Sequence, residues 1–180
     1  TTSGGGGGGC PSINFNNYTI SSYGGQDNNG AYSRQDGGAT LYLANNTWKY
    51  ISYPYTVTSN TVIEFEYRST GQGEIQGIGF DNNNSISSNY SFRVYGTQNW
   101  GIGNYDNYCG TSWKSYQIPV GSFFTGTMNR LTFLNDYDAG SGNTSYFRNV
   151  KVYEGSCSGL PAAGLAAAPE AAILGTEGEY

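Results

Sequence analysis

Val62-Ile63-Glu64-Phe65-Glu66-Tyr67-Arg68 is the stretch whose reading decides the fold. Ile63, Phe65 and Tyr67 fall on one side of a period-two repeat, and Glu64, Glu66 and Arg68 fall on the other. That is the pattern of a strand with one face in a core and the other in water. The same alternation recurs upstream, where Leu41 and Leu43 alternate with Thr40 and Tyr42, and downstream, where Phe92 and Val94 alternate with Ser91, Arg93 and Tyr95. Val150 and Val152 follow Arg148 at the same step. Further strands are predicted at Thr47 to Tyr53, Glu74 to Phe80, Trp113 to Ile118 and Arg130 to Asn135, separated by Gly- and Asn-rich turns. About nine or ten short strands with no helical period between them imply an all-β protein, an antiparallel β-sandwich of the jelly-roll kind.

A chain of 180 residues suits one domain with tails. Only 37% of residues are hydrophobic, but 17 Tyr, 8 Phe and 3 Trp gather apolar area into large flat side chains, so the core is expected to be aromatic. Residues 1–10 contain six consecutive glycines and read as an N-terminal arm or linker. Residues 11–155 read as the sandwich. Residues 156–180 turn abruptly to Ala, Gly and Pro, with Pro169 breaking any long helix, and read as a tail or docking arm. The start Thr1-Thr2-Ser3 carries no basic and apolar leader, so a mature chain is expected.

Charged residues make up 12% of the chain and the net charge is -5, which gives no electrostatic basis for holding nucleic acid. No apolar run reaches the roughly 18 to 20 residues that a membrane span needs. The weakly charged, Gly-, Asn-, Ser- and Tyr-rich composition points to a secreted, extracellular protein. Cys10 and Cys157 flank the patterned region, and a disulfide between them is expected because sandwich termini often lie close together. Cys109 is then unpaired or buried; three free thiols are the alternative.

The absence of histidine removes Ser-His-Asp, Cys-His and His-metal chemistry. Carboxylates alone suffice for glycoside hydrolysis, and Glu64 and Glu66 project from one face about 7 Å apart, with Glu74 across a turn. Beside Arg68 they read instead as the solvated face of an amphipathic strand, and no catalytic residue is assigned. The segments with the look of function are polar and aromatic together: Gly77 to Asn84, Tyr95 to Gly101, and Asn135-Asp136-Tyr137-Asp138. Carbohydrate recognition needs flat rings against sugar C–H surfaces and amides or carboxylates for the hydroxyls. Trp100, Tyr105, Tyr108 and Tyr137 are candidate platforms, and Gln98, Asn135, Asp81 and Asp136 candidate hydroxyl partners. Trp48 and Trp113, inside strands, read as core. Asp81, Asp136 and Asp138 in Gly-rich loops are candidate Ca²⁺ ligands, although the spacing lacks an EF-hand register. Five Asn-x-Ser/Thr sequons occur, at Asn17, Asn45, Asn83, Asn89 and Asn143.

The composition is also similar to that of jelly-roll xylanases, whose paired glutamates sit in strands far apart in the chain. No second glutamate of that kind is present, since Glu177-Gly178-Glu179-Tyr180 falls in the tail. The order Asp36-Gly37-Gly38-Ala39-Thr40-Leu41, Asn46-Thr47-Trp48-Lys49, Pro54-Tyr55-Thr56-Val57-Thr58, Gly73-Glu74-Ile75 through Gly79-Phe80-Asp81, Tyr95-Gly96-Thr97-Gln98, Ile118-Pro119-Val120-Gly121 and Asn135-Asp136-Tyr137-Asp138 resembles a non-catalytic jelly-roll module. Such modules are similar to the carbohydrate-binding modules appended to secreted bacterial hydrolases and surface proteins. The resemblance covers roughly 32 to 154 and implies a polysaccharide partner. A second reading is a structural subunit of an extracellular filament, tube or coat, joined to neighbouring copies of itself through its terminal arms.

Overall fold

The computed structural model describes residues 9–157. Apart from residues 9–10 and 156–157, the arm and tail expected at the two ends lie outside the described residues. The described chain is two stacked antiparallel sheets of five strands. The first, sheet A, has the order β1 (Ser21–Ser22), β4 (Thr47–Val57), β9 (Gly126–Asp136), β6 (Ile75–Asp81), β7 (Ser91–Tyr95). The second, sheet B, has the order β2 (Ala31–Gln35), β3 (Thr40–Ala44), β10 (Thr144–Glu154), β5 (Thr61–Arg68), β8 (Lys114–Ile118). The sandwich expected from the alternation is present, and no helix among the described residues is long and apolar enough to cross a membrane.

Ile63, Phe65 and Tyr67 of β5 are buried between the sheets, while Glu64, Glu66 and Arg68 are only half-buried on the outer face. Leu41 and Leu43 from β3, Phe133 from β9 and Phe92 and Val94 from β7 join the same core. Rings interlock there edge to face: Phe133 meets Phe15 at 5.4 Å and Phe147 at 5.3 Å between centroids. Such pairs are favoured over a face-to-face sandwich because the electron-rich face of one ring meets the positive edge of the next.

Two irregularities bend the alternation. Pro54 has no N–H to give to a ladder, and the β4–β9 register slips between Ser52 and Tyr55. In β10 the register shifts between Arg148 and Lys151, and Asn149 adopts a left-handed φ of 51°. The extra residue turns Arg148 outward and Val150 inward, so the two do not share a face as their spacing of two implied.

A buried glutamine helps to tie the sheets together. Gln76 of β6 is fully buried; its Oε1 accepts from Gly73 N at 2.7 Å, and its Nε2 lies 2.8 Å from Thr144 O, 3.1 Å from Asn135 Oδ1 and 3.1 Å from Tyr67 Oη. The Cys10–Cys157 disulfide is formed, with Cα atoms 5.4 Å apart, and it joins the segment before β1 to the end of β10. Cys109 is a free, exposed thiol.

Candidate functional site

Two regions gather polar and aromatic side chains. The first is the end of the sandwich where the β3–β4, β5–β6, β7–β8 and β9–β10 loops converge. Pairing of β6 with β9 sets Ile75 opposite Asp136, so Glu74, one residue earlier, reaches the β9–β10 loop, and its Oε2 accepts from Asp138 N at 2.7 Å. One carboxylate oxygen from each of Glu74, Asp136 and Asp138 lies within 4.8 Å of the others. Asp136 is nearly buried and accepts from Trp48 Nε1 at 2.8 Å. Burial, opposed by that indole bond and reinforced by the charges of Asp138 and Glu74, lifts its carboxyl to about 6.

Register also explains why Asp81 takes no part. Asp81 pairs with Arg130 at the other end of β6, six residues from Ile75 and so roughly 20 Å from Asp136. It is buried, and its carboxylate accepts the Tyr23 phenol together with Asn82 N at 2.7 Å and Asn83 N at 3.2 Å. The structure therefore brings Asp136 and Asp138 together, adds Glu74, and leaves Asp81 as an internal hydrogen-bond acceptor.

The residues expected to bind sugar are divided among three surroundings. Gln98 is exposed at this loop end, its backbone N donating to Glu74 O at 2.9 Å. Trp100 is half-buried and meets Trp48 edge to face at 5.5 Å, in a small cluster with Tyr23, Ile75 and Leu134 on the outer side of sheet A. Trp48 is thus buried as expected, but in that outer cluster rather than between the sheets. Tyr137 is half-buried next to Gly140, where an added Cβ would meet its ring at 2.4 Å. Asn135 and Tyr108 offer no surface to a ligand. Asn135 is fully buried, holding Asn45 O at 2.8 Å and Ser145 Oγ at 2.8 Å. Tyr108 is packed in the core against Tyr67, its hydroxyl accepting from Ser69 N at 3.0 Å and donating to Ser112 O at 2.9 Å. Tyr105 leans edge-on against Phe92 and Phe123 and is half-buried.

The second region is the outer face of sheet B, which no sequence motif marked. Ser33, Tyr42, Tyr146 and Arg68 are successive partners across β2, β3, β10 and β5. Trp113, just before β8, joins this row and is half-buried rather than core. The centroid spacings are 4.7 Å from Tyr42 to Tyr146 and 6.3 Å from Tyr146 to Trp113. Arg68 lies over the Tyr146 ring at 5.2 Å and Arg148 over the Trp113 ring at 3.9 Å. In the next row Arg148 forks onto Glu66 at 3.0 and 3.1 Å, and Asn149 also donates to Glu66. These donors hold the Glu66 carboxyl below its ordinary range, with the Arg148 hydrogen bond foremost. One row further, Glu64 takes Lys151 at 3.3 Å and the Tyr153 hydroxyl at 2.9 Å. Both strand glutamates are therefore held by neighbouring donors on an open face. Among the described residues no cleft or cavity is found.

Of the sequons, Asn17, Asn83 and Asn89 are exposed, Asn45 is half-buried, and Asn143 is fully buried, its amide donating to backbone oxygens of Asn45, Asn135 and Asp136. Asn143 has no room for a glycan.

No family model matches the chain, and no curated protein matches it. Among solved structures it is similar to a glycoside hydrolase domain, Endo-D from Streptococcus pneumoniae, with a TM-score of 0.43 and 14% identity over 75% of this chain and 21% of that one. It is also similar to a mutant of the CBM29-2 carbohydrate-binding module, with a TM-score of 0.42 and 15% identity over 78% of this chain and 94% of that one. The chain thus spans about a fifth of the length of the first of these.

Proposed function

We propose that this chain is a non-catalytic, extracellular carbohydrate-binding domain, and that it holds polysaccharide on the outer face of sheet B. The observation that carries the reading is the row Tyr42, Tyr146 and Trp113, three half-buried rings on the outer face of sheet B, outside the core, with successive ring planes inclined at 44° and 75°. Rings facing water forgo the burial that would stabilise them inside, and a sugar restores it by laying its C–H face on them. Arg68 and Arg148 lie over two of the rings, and the guanidinium N–H groups not used on Thr111 O and Glu66 are donors at the rim of the row. Ser33, at the β2 end, adds a hydroxyl. The long-range Cys10–Cys157 bond fits an oxidising compartment.

The test is affinity electrophoresis through gels containing a broad set of plant, algal and bacterial polysaccharides. Retardation by at least one of them, abolished in a Trp113→Ala, Tyr146→Ala double variant whose Tm stays within a few degrees of the parent, is the expected result. Free migration of the parent through every gel would remove the proposal.

A further inference from the structure

We infer that the polysaccharide held on the outer face of sheet B is an acidic one, and that Arg68 receives a carboxylate or sulfate group of its sugars. The inference rests on the sugar-binding reading of that face, because it names the class of glycan taken at the same row.

The cations of the protein are unequally committed. Of its eight Lys and Arg, Lys49, Arg93, Arg148 and Lys151 are ion-paired with Asp27, Asp106, Glu66 and Glu64. Arg34 donates from Nε to Phe15 O and from Nη2 to Tyr18 O, both at 2.9 Å. Lys114 donates to the backbone and side-chain oxygens of Asn107 at 2.7 and 2.8 Å. Arg130 reaches Asn129 Oδ1 at 3.2 Å and Asn84 Oδ1 at 2.6 Å. Arg68 differs from all of these: it donates from Nε to Thr111 O at 3.0 Å, and among the described residues its Nη1 and Nη2 have no partner. Two neighbouring N–H groups in one plane match the two oxygens of a carboxylate or of a sulfate, and such charge-assisted pairs are roughly twice as strong as neutral ones.

Register puts this donor pair inside the aromatic row. Arg68 is the strand partner of Tyr146 on one side, and the pairing of Tyr67 with Lys114 sets it in line with Trp113 on the other. Its guanidinium lies over the Tyr146 ring at 5.2 Å, which holds it on the face where the rings are. A sugar laid along the row therefore meets guanidinium N–H groups as well as ring faces.

The local charge agrees. The outer face of sheet B carries Arg68, Arg148, Lys151, Glu64 and Glu66, and both glutamates are matched, Glu66 by Arg148 at 3.0 Å and Glu64 by Lys151 at 3.3 Å. Asp36, in the β2–β3 turn, accepts the Thr40 hydroxyl two strands away from β5. The strands of this face thus keep one positive charge without a counter-ion, in a protein whose net charge is -5. Salt screens charges beyond about 8 Å under physiological conditions, so the remote carboxylates act weakly on an anion that Arg68 holds at hydrogen-bond distance. A neutral hydroxyl would leave that charge unmatched.

The test is affinity electrophoresis of the full chain through polygalacturonate, alginate, hyaluronate and a sulfated galactan, each run beside an uncharged counterpart made by methyl esterification or desulfation. Retardation by an acidic glycan and its loss in the uncharged counterpart are expected; a polyuronate identifies a carboxylate as the group bound, and the galactan a sulfate. Arg68→Gln should bind at least about tenfold more weakly than the parent, and Arg68→Lys, which keeps the charge without the fork, should fall between them. Arg130→Gln, which removes a charge lying over Tyr50 on sheet A, should bind as the parent does. Retardation by uncharged glycans alone, equal retardation by charged and uncharged forms, or equal losses in Arg68→Gln and Arg130→Gln would overturn the acidic class and leave the sugar-binding face standing. Free migration through charged and uncharged gels alike would remove both.

Discussion

The Arg148 guanidinium lies 3.9 Å over the Trp113 ring and at the same time forks onto Glu66 at 3.0 and 3.1 Å. One cation thus fixes an aromatic side chain and a carboxylate on the same open face. The Asn149 bulge makes this possible, because it turns Arg148 outward without taking Val150 from the core.

The first prediction concerns acid stability. Glu66 has a folded-state pKa below its ordinary 4.5, chiefly through the Arg148 hydrogen bond. A depressed carboxyl contributes stability that is whole above the unfolded value and is lost as pH falls through the folded value. The Glu66 and Arg148 side chains are 23% and 35% exposed, so the contribution is on the order of 1 kcal/mol. Thermal melts from about pH 6 to pH 3 should show Arg148→Met less stable than the parent at pH 6, with the gap narrowing in acid. A gap that stays constant across the range would show that the pair is not the source.

The second prediction separates two tryptophans. Trp100 packs edge-on against buried Trp48, so Trp100→Ala should cost about 2 kcal/mol of stability and leave glycan retardation unchanged. Trp113 sits on the open face, so Trp113→Ala should weaken retardation with a stability loss of about 1 kcal/mol or less. Denaturant unfolding and affinity gels on both variants check this, and loss of retardation in Trp100→Ala alone would move the sugar site to the loop end.

The third prediction concerns the glutamine between the sheets. Gln76→Leu leaves Gly73 N and Thr144 O without their buried partner. Since each buried orphan costs about 1 to 3 kcal/mol, a loss of about 3 kcal/mol is expected in urea unfolding. Gln117→Leu, at an exposed residue whose side chain hydrogen-bonds the Tyr153 hydroxyl, should lose under about 1 kcal/mol. Equal losses in the two would deny Gln76 its joining role.

Eight of the ten strands were legible, because each carries at least one short alternation of apolar and polar side chains. β1 is two serines, and β2 is Ala-Tyr-Ser-Arg-Gln with four of its five residues exposed. Edge strands of this kind bury too little to leave an apolar signal. Trp113 illustrates a different limit. A tryptophan next to a strand reads as core by type, but Trp113 is out of step with the buried Tyr116 and Ile118, and on the outer face it meets Tyr146 and Arg148. Asn135 was expected at a binding surface, yet it is fully buried with Gln76, whose amide donates to its Oδ1 at 3.1 Å.

Alternation along the chain was enough by itself to decide that Ile63, Phe65 and Tyr67 face inward and that the protein is a stack of two sheets, since side-chain direction in a strand depends only on residue parity. Which distant residues become neighbours was decided by the tertiary structure. Strand register is a long-range property, and the β6–β9 pairing that sets Ile75 beside Asp136 and Asp81 beside Arg130 brought Glu74 to the acidic cluster and carried Asp81 away from it.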